Sequence, residues 1–329
     1  FNEKEYDESK DAEAVASFLN TNHYCKHIDE HDLIDLLPVF LDNFDEPFFD
    51  SAAFPTMAVS KLAKKHVSVV MTGDGGDELF GGYHYYKIIR MLGKFQNLPK
   101  NFKNISSLLT SLIPSHKFKL LGSAFTEDSV SRAFAFSRSI AKDFNNILFD
   151  EVINNTISMK DLFEETASCF PENLTASEIG MRLDTLFTLN DDYLQKTDMS
   201  TMAYSLEART PFLSAELVEW SNSLPEHFKL RGGTSKYLLK KLAYRYVPKK
   251  ILDRPKRGFG VPIDSWLRHQ LYDWSYERIY NSDYYDGLPI NQNEVIKLYQ
   301  AHKSGKRNIQ PLLWAVLMLL EFNFRTRNN

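Results

Sequence analysis

Residues 66–83 read HVSVVMTGDGGDELFGGY. Apolar and β-branched residues dominate positions 66–72, which is typical of a short buried strand. Five of the chain's fourteen glycines follow within residues 73–82. A glycine turn after a strand is where open α/β sheets hold ligands, because glycine lets backbone N–H groups approach an anion closely. The stretch therefore predicts a ligand-binding loop at the end of a sheet strand.

Two acids, Asp74 and Asp77, lie inside this glycine turn. Carboxylates repel bare phosphate, so a simple anion cradle would not carry them. Carboxylate oxygens do bind Mg²⁺, and Mg²⁺ in turn bridges to phosphates. The turn thus favours a nucleotide bound together with Mg²⁺.

Residues 69–83 resemble the run S/T-G-D/E-G-x-D-E-x-F-G-G-Y in the synthetase domain of the asparagine synthetase family. Two later stretches, residues 192–213 and 254–267, are similar to other segments of that family. Taken alone, they would be interpreted as a buried helix with polar contacts and a basic surface loop. The chain departs from the family at Ser214, where aspartate is usual; serine is also a good N-cap, so we still expect a helix from 215 to 222.

The resemblance implies roles for individual residues. Asp74 and Lys256 would be catalytic, and Asp77 would bind Mg²⁺ on the pyrophosphate. The remaining implied contacts are with the nucleotide, at Thr72, Gly73 and Gly75, and with the substrate pocket, at Asp50 and Ser51.

The implied reaction is ATP-dependent amide synthesis. ATP would adenylate the side-chain carboxylate of aspartate, and ammonia from glutamine would displace AMP to give asparagine, with pyrophosphate as the other product. Two alternatives stay open. One is the same chemistry on another carboxylate acceptor, from surface-polysaccharide or secondary metabolism. The other is a non-catalytic nucleotide-binding module, against which the presence of Asp74, Asp77 and Lys256 argues.

The predicted fold class is α/β. We expect a partial parallel sheet of the adenine nucleotide alpha hydrolase (ATP pyrophosphatase) type, followed by a mostly helical C-terminal region. Residues 1–100 would form the nucleotide-binding α/β portion, and residues 101–329 the helical portion that carries the substrate and lysine loops. Apolar periodicity predicts helices at 10–20 and 32–41, a strand at 22–28, and helical stretches at 180–222, 234–247 and 309–324.

Two features of the family are not found in the sequence: the phosphate loop S-G-G-x-D-S and the glutaminase domain with its leading cysteine. We therefore expect residues 1–329 to be a synthetase domain truncated at its N-terminus, and inactive on its own. In the full-length protein, glutamine-derived ammonia would come from the missing domain. A homodimer is a further expectation.

Composition limits the other function classes. The formal net charge of −4 at pH 7 gives no reason to expect nucleic-acid binding. Cys25 and Cys169 are far apart and lack metal-site spacing, which favours a reducing, cytoplasmic location. The apolar run at 312–320 is too short to span a membrane and predicts a buried helix.

Overall fold

The computed structural model describes residues 1–95, 127–138, 145, 147–154, 156–253 and 260–328. These residues form a mixed α/β structure that is mostly helical and contains one small parallel sheet. Predicted catalytic residue Lys256 lies outside the described residues.

The elements follow one another in two parts of the chain. The first part contains α1 (Ser9–Leu19), α2 (Glu30–Asn43), α3 (Ala53–Ala63), strand β1 (Val69–Met71), α4 (Gly76–Phe80), α5 (His84–Phe95), α6 (Val130–Arg138), α7 (Asp150–Asn154), α8 (Met159–Ser168) and α9 (Ala176–Leu183). The second contains a π-helix (Asp184–Leu194), α10 (Gln195–Met202), strand β2 (Glu207–Arg209), a 3₁₀-helix (Pro211–Leu213), α11 (Ala215–Ser223), α12 (Glu226–Lys229), α13 (Tyr237–Ala243), α14 (Lys249–Leu252), α15 (Ile263–Arg268), α16 (Tyr272–Tyr280), a second 3₁₀-helix (Ser282–Tyr285), α17 (Gln292–Lys303) and α18 (Gln310–Asn328).

The sheet of the described residues has two parallel strands. Val69 pairs with Glu207 and Met71 with Arg209. The strand predicted before the glycine turn is confirmed, but its burial is not, because Val69 is 40% and Met71 75% exposed. The sheet of the described residues is only two strands wide, and the face that carries the side chains of Val69 and Met71 is largely uncovered.

Two other sequence predictions were wrong. Residues 22–28 form no strand; instead, Asp29 begins α2 by accepting hydrogen bonds from the N–H groups of His31 and Asp32. The helix predicted across 180–222 is interrupted by β2, which pairs with β1, and by the 3₁₀-helix after it. The next helix, α11, does begin after Ser214, whose side chain makes no capping hydrogen bond.

Two clusters of buried side chains hold the described helices together. The first joins α2 and α3 to helices α15–α18 through Phe40, Phe54, Trp266 and Trp314. The predicted buried helix at 312–320 is confirmed as part of α18 in this cluster. Helices α5, α6, α8 and α9 form the second cluster. Since α3 belongs to the first cluster and α5 to the second, the glycine turn lies in the segment that connects them.

Helix α9, the π-helix and α10 follow one another without a break from residue 176 to 202. Asp184, only 1% exposed, lies where the π-helix begins. Its carboxylate accepts hydrogen bonds from the hydroxyls of Tyr85 (2.5 Å), Tyr86 (2.7 Å) and Thr188 (2.8 Å). These bonds tie the π-helix to α5, the helix that follows the glycine turn.

Candidate active site

The turn that follows β1 has a backbone conformation that depends on glycine. The N–H of Thr72 donates to the carbonyl of Arg209 at 2.8 Å, which continues the pairing with β2. Gly75 then has φ +84°, where a side chain is strained, and an added Cβ would lie 2.3 Å from Leu213. A residue other than glycine at position 75 would therefore deform the turn that holds Asp74 and Asp77.

Asp74 is held by two hydroxyl groups from different elements. Thr72 Oγ1 donates to Asp74 Oδ2 at 2.8 Å, and Thr197 Oγ1, from α10, donates to the same oxygen at 3.1 Å. Oδ1 of Asp74 accepts no hydrogen bond from the described residues. The predicted catalytic acid thus has one oxygen fixed and one left over.

Asp50 lies at the turn that begins α3. Its Oδ1 accepts from the N–H of Ala52 at 2.9 Å, and its Oδ2 forms an ion pair with Lys196 Nζ at 2.7 Å. Ser51 occupies the same turn, and its carbonyl accepts from the N–H of Phe54. Both residues predicted for the substrate pocket, Asp50 and Ser51, are therefore anchored in the turn that precedes α3.

Lys196 is 14% exposed at its side chain, and its Nζ lies 4.8 Å from the ring centroid of Tyr193. Burial alone would lower the pKa of Lys196, but the ion pair with Asp50, together with the charges of Asp192 and Tyr193, outweighs this and raises the pKa above its ordinary value. Lys196 is therefore charged at neutral pH. Since it precedes Thr197 in α10, two consecutive residues join the Asp50 turn to Asp74.

Asp77 forms an ion pair with Lys236 Nζ at 2.9 Å. Lys236 stands immediately before α13. The pair lies directly against the backbone of Gly82. A Cβ added there would be 1.7 Å from Asp77 Oδ1 and 2.4 Å from Lys236 Cε. Glycine at position 82 is what allows the carboxylate and the lysine to meet.

A cleft of about 830 Å³ opens beside the Asp77–Lys236 pair. Its lining is rich in cations: Lys87, Lys236, Lys240, Lys241 and Lys249. Asp253, the last described residue before the predicted lysine loop, also lines it and accepts from Lys240 Nζ (3.0 Å) and the Tyr244 hydroxyl (2.6 Å). These five lysines outnumber the two acids of the lining, Glu8 and Asp253, so the cleft is net positive and suits an anion.

Glu78 follows Asp77 but points into the structure, since only 2% of it is exposed. The Tyr83 hydroxyl donates to its Oε1 at 2.6 Å. Burial raises the pKa of Glu78 above its ordinary value, with the Tyr83 hydrogen bond acting in the opposite direction. Glu78 thus fastens α4 to the residues after it, while Asp77 pairs with Lys236, which lines the cleft.

Asp77 offers a metal ion one carboxylate, which is paired here with Lys236. Among the residues that the structure describes, no three acid, histidine or cysteine side chains are grouped to enclose a metal. Mg²⁺ needs no such cage, because it keeps several waters and binds through one or two carboxylates together with substrate phosphates. Asp77, next to a cationic cleft, suits Mg²⁺ that arrives with a phosphorylated ligand.

The residues predicted from the sequence fall on two sides of the turn. Asp74 and Asp50 lie on the side of α10, whereas Asp77 lies on the side of α13. Three residues were not predicted as site residues: Lys196, Thr197 and Lys236. Their signal in the sequence was weak. Lys196 and Thr197 belong to a predicted helix whose polar residues share one face, and Lys236 stands at the start of another predicted helix.

The comparisons with known proteins show the family of the chain. A family model described as asparagine synthase matches residues 1–323. This chain belongs to the asparagine synthase family, as the resemblance of its three motifs predicted.

Individual relatives cover almost all of the chain. "Asparagine synthetase [glutamine-hydrolyzing] 1" of Bacillus subtilis (strain 168) is 31% identical over 325 residues, which are 97% of this chain and 50% of that protein. A protein of Mycobacterium tuberculosis (strain ATCC 25618 / H37Rv), provisionally named asparagine synthetase (glutamine-hydrolysing), is 32% identical over 327 residues, 97% of this chain and 49% of that protein. The chain therefore spans about half the length of the curated relatives it matches. None of the helices in the described part of the chain is long and apolar enough to cross a membrane.

Proposed function

We propose that this chain is the synthetase part of a glutamine-hydrolysing asparagine synthetase. ATP adenylates the side-chain carboxylate of aspartate, and ammonia then displaces AMP to give asparagine. The adjacent residues Lys196 and Thr197 carry this proposal, because they join a paired anion and cation, Asp50 and Lys196, to the acid Asp74. Glutamine hydrolysis is assigned to sequence outside residues 1–329.

The nucleotide is assigned to the glycine turn and the cationic cleft. An added Cβ at Gly73 would meet no atom within 4 Å, so that side of the turn is open to a ligand. Thr72 and Gly75 would contribute to the same surface. Lysines of the cleft would offset the charge of the triphosphate, and Asp77 would hold Mg²⁺ that neutralises charge on the departing pyrophosphate.

An amino acid suits the Asp50–Lys196 pair better than a simple carboxylate does. Aspartate carries an ammonium group and an α-carboxylate on neighbouring atoms, and the pair presents one charge of each sign, 2.7 Å apart. Lys196 would bind the α-carboxylate and Asp50 the ammonium group, with Ser51 at the pocket's edge. The side-chain carboxylate is then free to be adenylated near Asp74.

Activation and amide formation are two displacements. In the first, a carboxylate oxygen of aspartate attacks the α-phosphorus of ATP and pyrophosphate leaves. In the second, the ammonia nitrogen bonds to the acyl carbon, the bond to the AMP oxygen breaks, and one proton leaves the nitrogen. Asp74 would take that proton, and Lys256 would offset the charge that develops at the α-phosphate.

Aspartate-dependent exchange of labelled pyrophosphate into ATP tests the proposal, with the protein as encoded by its gene. We expect exchange that requires both aspartate and Mg²⁺. Lys196→Gln should raise the KM for aspartate at least tenfold and leave the KM for ATP unchanged, whereas Lys64→Gln, at an exposed lysine bonded to the carbonyl of Ser205, should change neither. Exchange that depends on another carboxylate would contradict the choice of aspartate. Complete absence of exchange would favour a non-catalytic module.

A further inference from the structure

The carboxylate of Asp74 is held asymmetrically. Both hydroxyl donors, Thr72 Oγ1 and Thr197 Oγ1, bind Oδ2, so the two acceptor positions of that oxygen are occupied. Oδ1 receives no hydrogen bond from the described residues. The side chain can therefore offer only one oxygen, in one orientation, to a group that gives up a proton.

The π-helix determines where Thr197 lies. An i→i+5 helix winds more slowly than an α-helix, so its eleven residues turn the following helix to a different face. Buried Asp184 fixes this segment to α5 through the hydroxyls of Tyr85 and Tyr86. Thr197, itself only 8% exposed, lies in the helix that follows this anchored segment.

We infer that Thr197 is a positioning residue that presents Oδ1 of Asp74 to the ammonia nitrogen and so favours amide formation over hydrolysis of the acyl-adenylate. This inference rests on the proposed function. Ammonia and water compete for the same acyl carbon, and either attack breaks the bond to the AMP oxygen and releases AMP. Ammonia gives the amide and loses one proton, to Asp74, whereas water gives back the carboxylate and loses both of its protons. If Thr197 no longer held Oδ2, the hydrogen bond from Thr72 would be the one left on that oxygen. The carboxylate could then turn about this single bond, and Oδ1 would no longer be fixed in the orientation that receives a proton from ammonia.

Three variants separate this role from a structural one. Thr197→Val removes the hydroxyl and keeps the shape, and Thr197→Ser keeps the hydroxyl. Thr201→Val is the matched control, because Thr201 is a buried threonine of the same helix whose hydroxyl, among the described residues, donates only to the carbonyl of Asp198.

Two measurements are made on each variant. The first is the amount of amide formed per AMP released at saturating ammonia. ATP–pyrophosphate exchange is followed in the same samples, to show whether adenylation itself has changed. Thr197→Val should lower the amide yield roughly tenfold with little change in exchange, since one hydrogen bond to a charged group is lost. The second is the ¹³C resonance of the Asp74 carboxyl, identified by its loss in Asp74→Asn. It should shift in Thr197→Val and return in Thr197→Ser, while Thr201→Val changes neither measurement.

The outcomes are distinct. An unchanged Asp74 resonance in Thr197→Val would overturn the inference, and so would a shifted resonance with the full amide yield. A protein that forms neither AMP nor amide would contradict the proposed function and, with it, the role in amide formation; the resonance, which needs no turnover, would still establish whether Thr197 holds Asp74.

Discussion

Replacing Gly82 by alanine should disable the Asp77 site without unfolding the protein. The backbone at Gly82 is not in the left-handed region, so alanine can adopt its conformation. The added methyl group would lie 1.7 Å from Asp77 Oδ1 and 2.4 Å from Lys236 Cε. Both atoms are near the ends of flexible side chains, which can move away from it.

The size of the effect follows from these distances. Contacts of a Cβ closer than 3.0 Å essentially do not occur, so Asp77 Oδ1 must withdraw by at least 1.3 Å, the difference between 3.0 and 1.7 Å. A misplacement of about 1 Å can cost on the order of 100-fold in rate, or about 2.7 kcal/mol. The free energy of unfolding should change by less than about 1 kcal/mol, because the clash is relieved by side-chain movement.

The assay is aspartate-dependent ATP–pyrophosphate exchange over a range of Mg²⁺ concentrations, with thermal unfolding of the same samples. We expect kcat/KM for MgATP to fall about 100-fold. Gly180→Ala is the matched control, since the atoms nearest to its added methyl group belong to Phe134, at 3.3 Å, and Tyr86, at 3.7 Å, and exchange should persist. Normal exchange in folded Gly82→Ala would refute the assignment of Asp77 to the metal and phosphate site.

Three other substitutions test separate parts of the account. Asp77→Asn should remove most ATP–pyrophosphate exchange while circular dichroism is unchanged, and normal exchange with normal Mg²⁺ dependence would contradict the metal assignment. Lys256→Ala should lower kcat by about 10²–10³ with little effect on the KM for ATP, by analogy with a lost oxyanion donor, whereas a loss of affinity alone would limit the lysine to ground-state binding. Lys229 is 3% exposed, and burial lowers its pKa to about 8, so Lys229→Met should raise the free energy of unfolding at pH 7 by up to about 3 kcal/mol. The stability of the wild-type protein should rise towards that of the variant between pH 8 and 10.5, because the unfolded wild type binds more protons than the folded protein in this range. Denaturant titrations of both proteins at pH 7 and 10 measure their free energies of unfolding. A wild type that is more stable than the variant at pH 7 would contradict the lowered pKa of Lys229.

The sequence predicted the parts of the structure that depend on local pattern. The β-branched run before the glycine turn predicted β1, and apolar periodicity predicted α1, α2 and α18. It failed for β2, because the three residues from Glu207 to Arg209 are too few for an alternating pattern to be recognised. The two charged side chains form an ion pair with each other at 2.8 Å.

The site was predictable where chemistry is concentrated in consecutive residues. Asp74 and Asp77 could be singled out from one loop, but the direction of each side chain could not. Their partners, Thr197 and Lys236, are more than 100 residues away, and only the fold brings them together. The π-helix before α10 is likewise invisible to a periodicity of 3.6 residues, so the contact between Thr197 and Asp74 had no local signal.

Transfer of ¹⁸O from aspartate tests the central claim most directly. Aspartate labelled in its side-chain carboxylate is converted with ATP and ammonia, and the nucleotide product is analysed by mass spectrometry. Adenylation predicts AMP that carries one labelled oxygen, because the carboxylate oxygen that attacks the α-phosphorus leaves with AMP. Unlabelled AMP, or ADP together with labelled phosphate, would contradict the account.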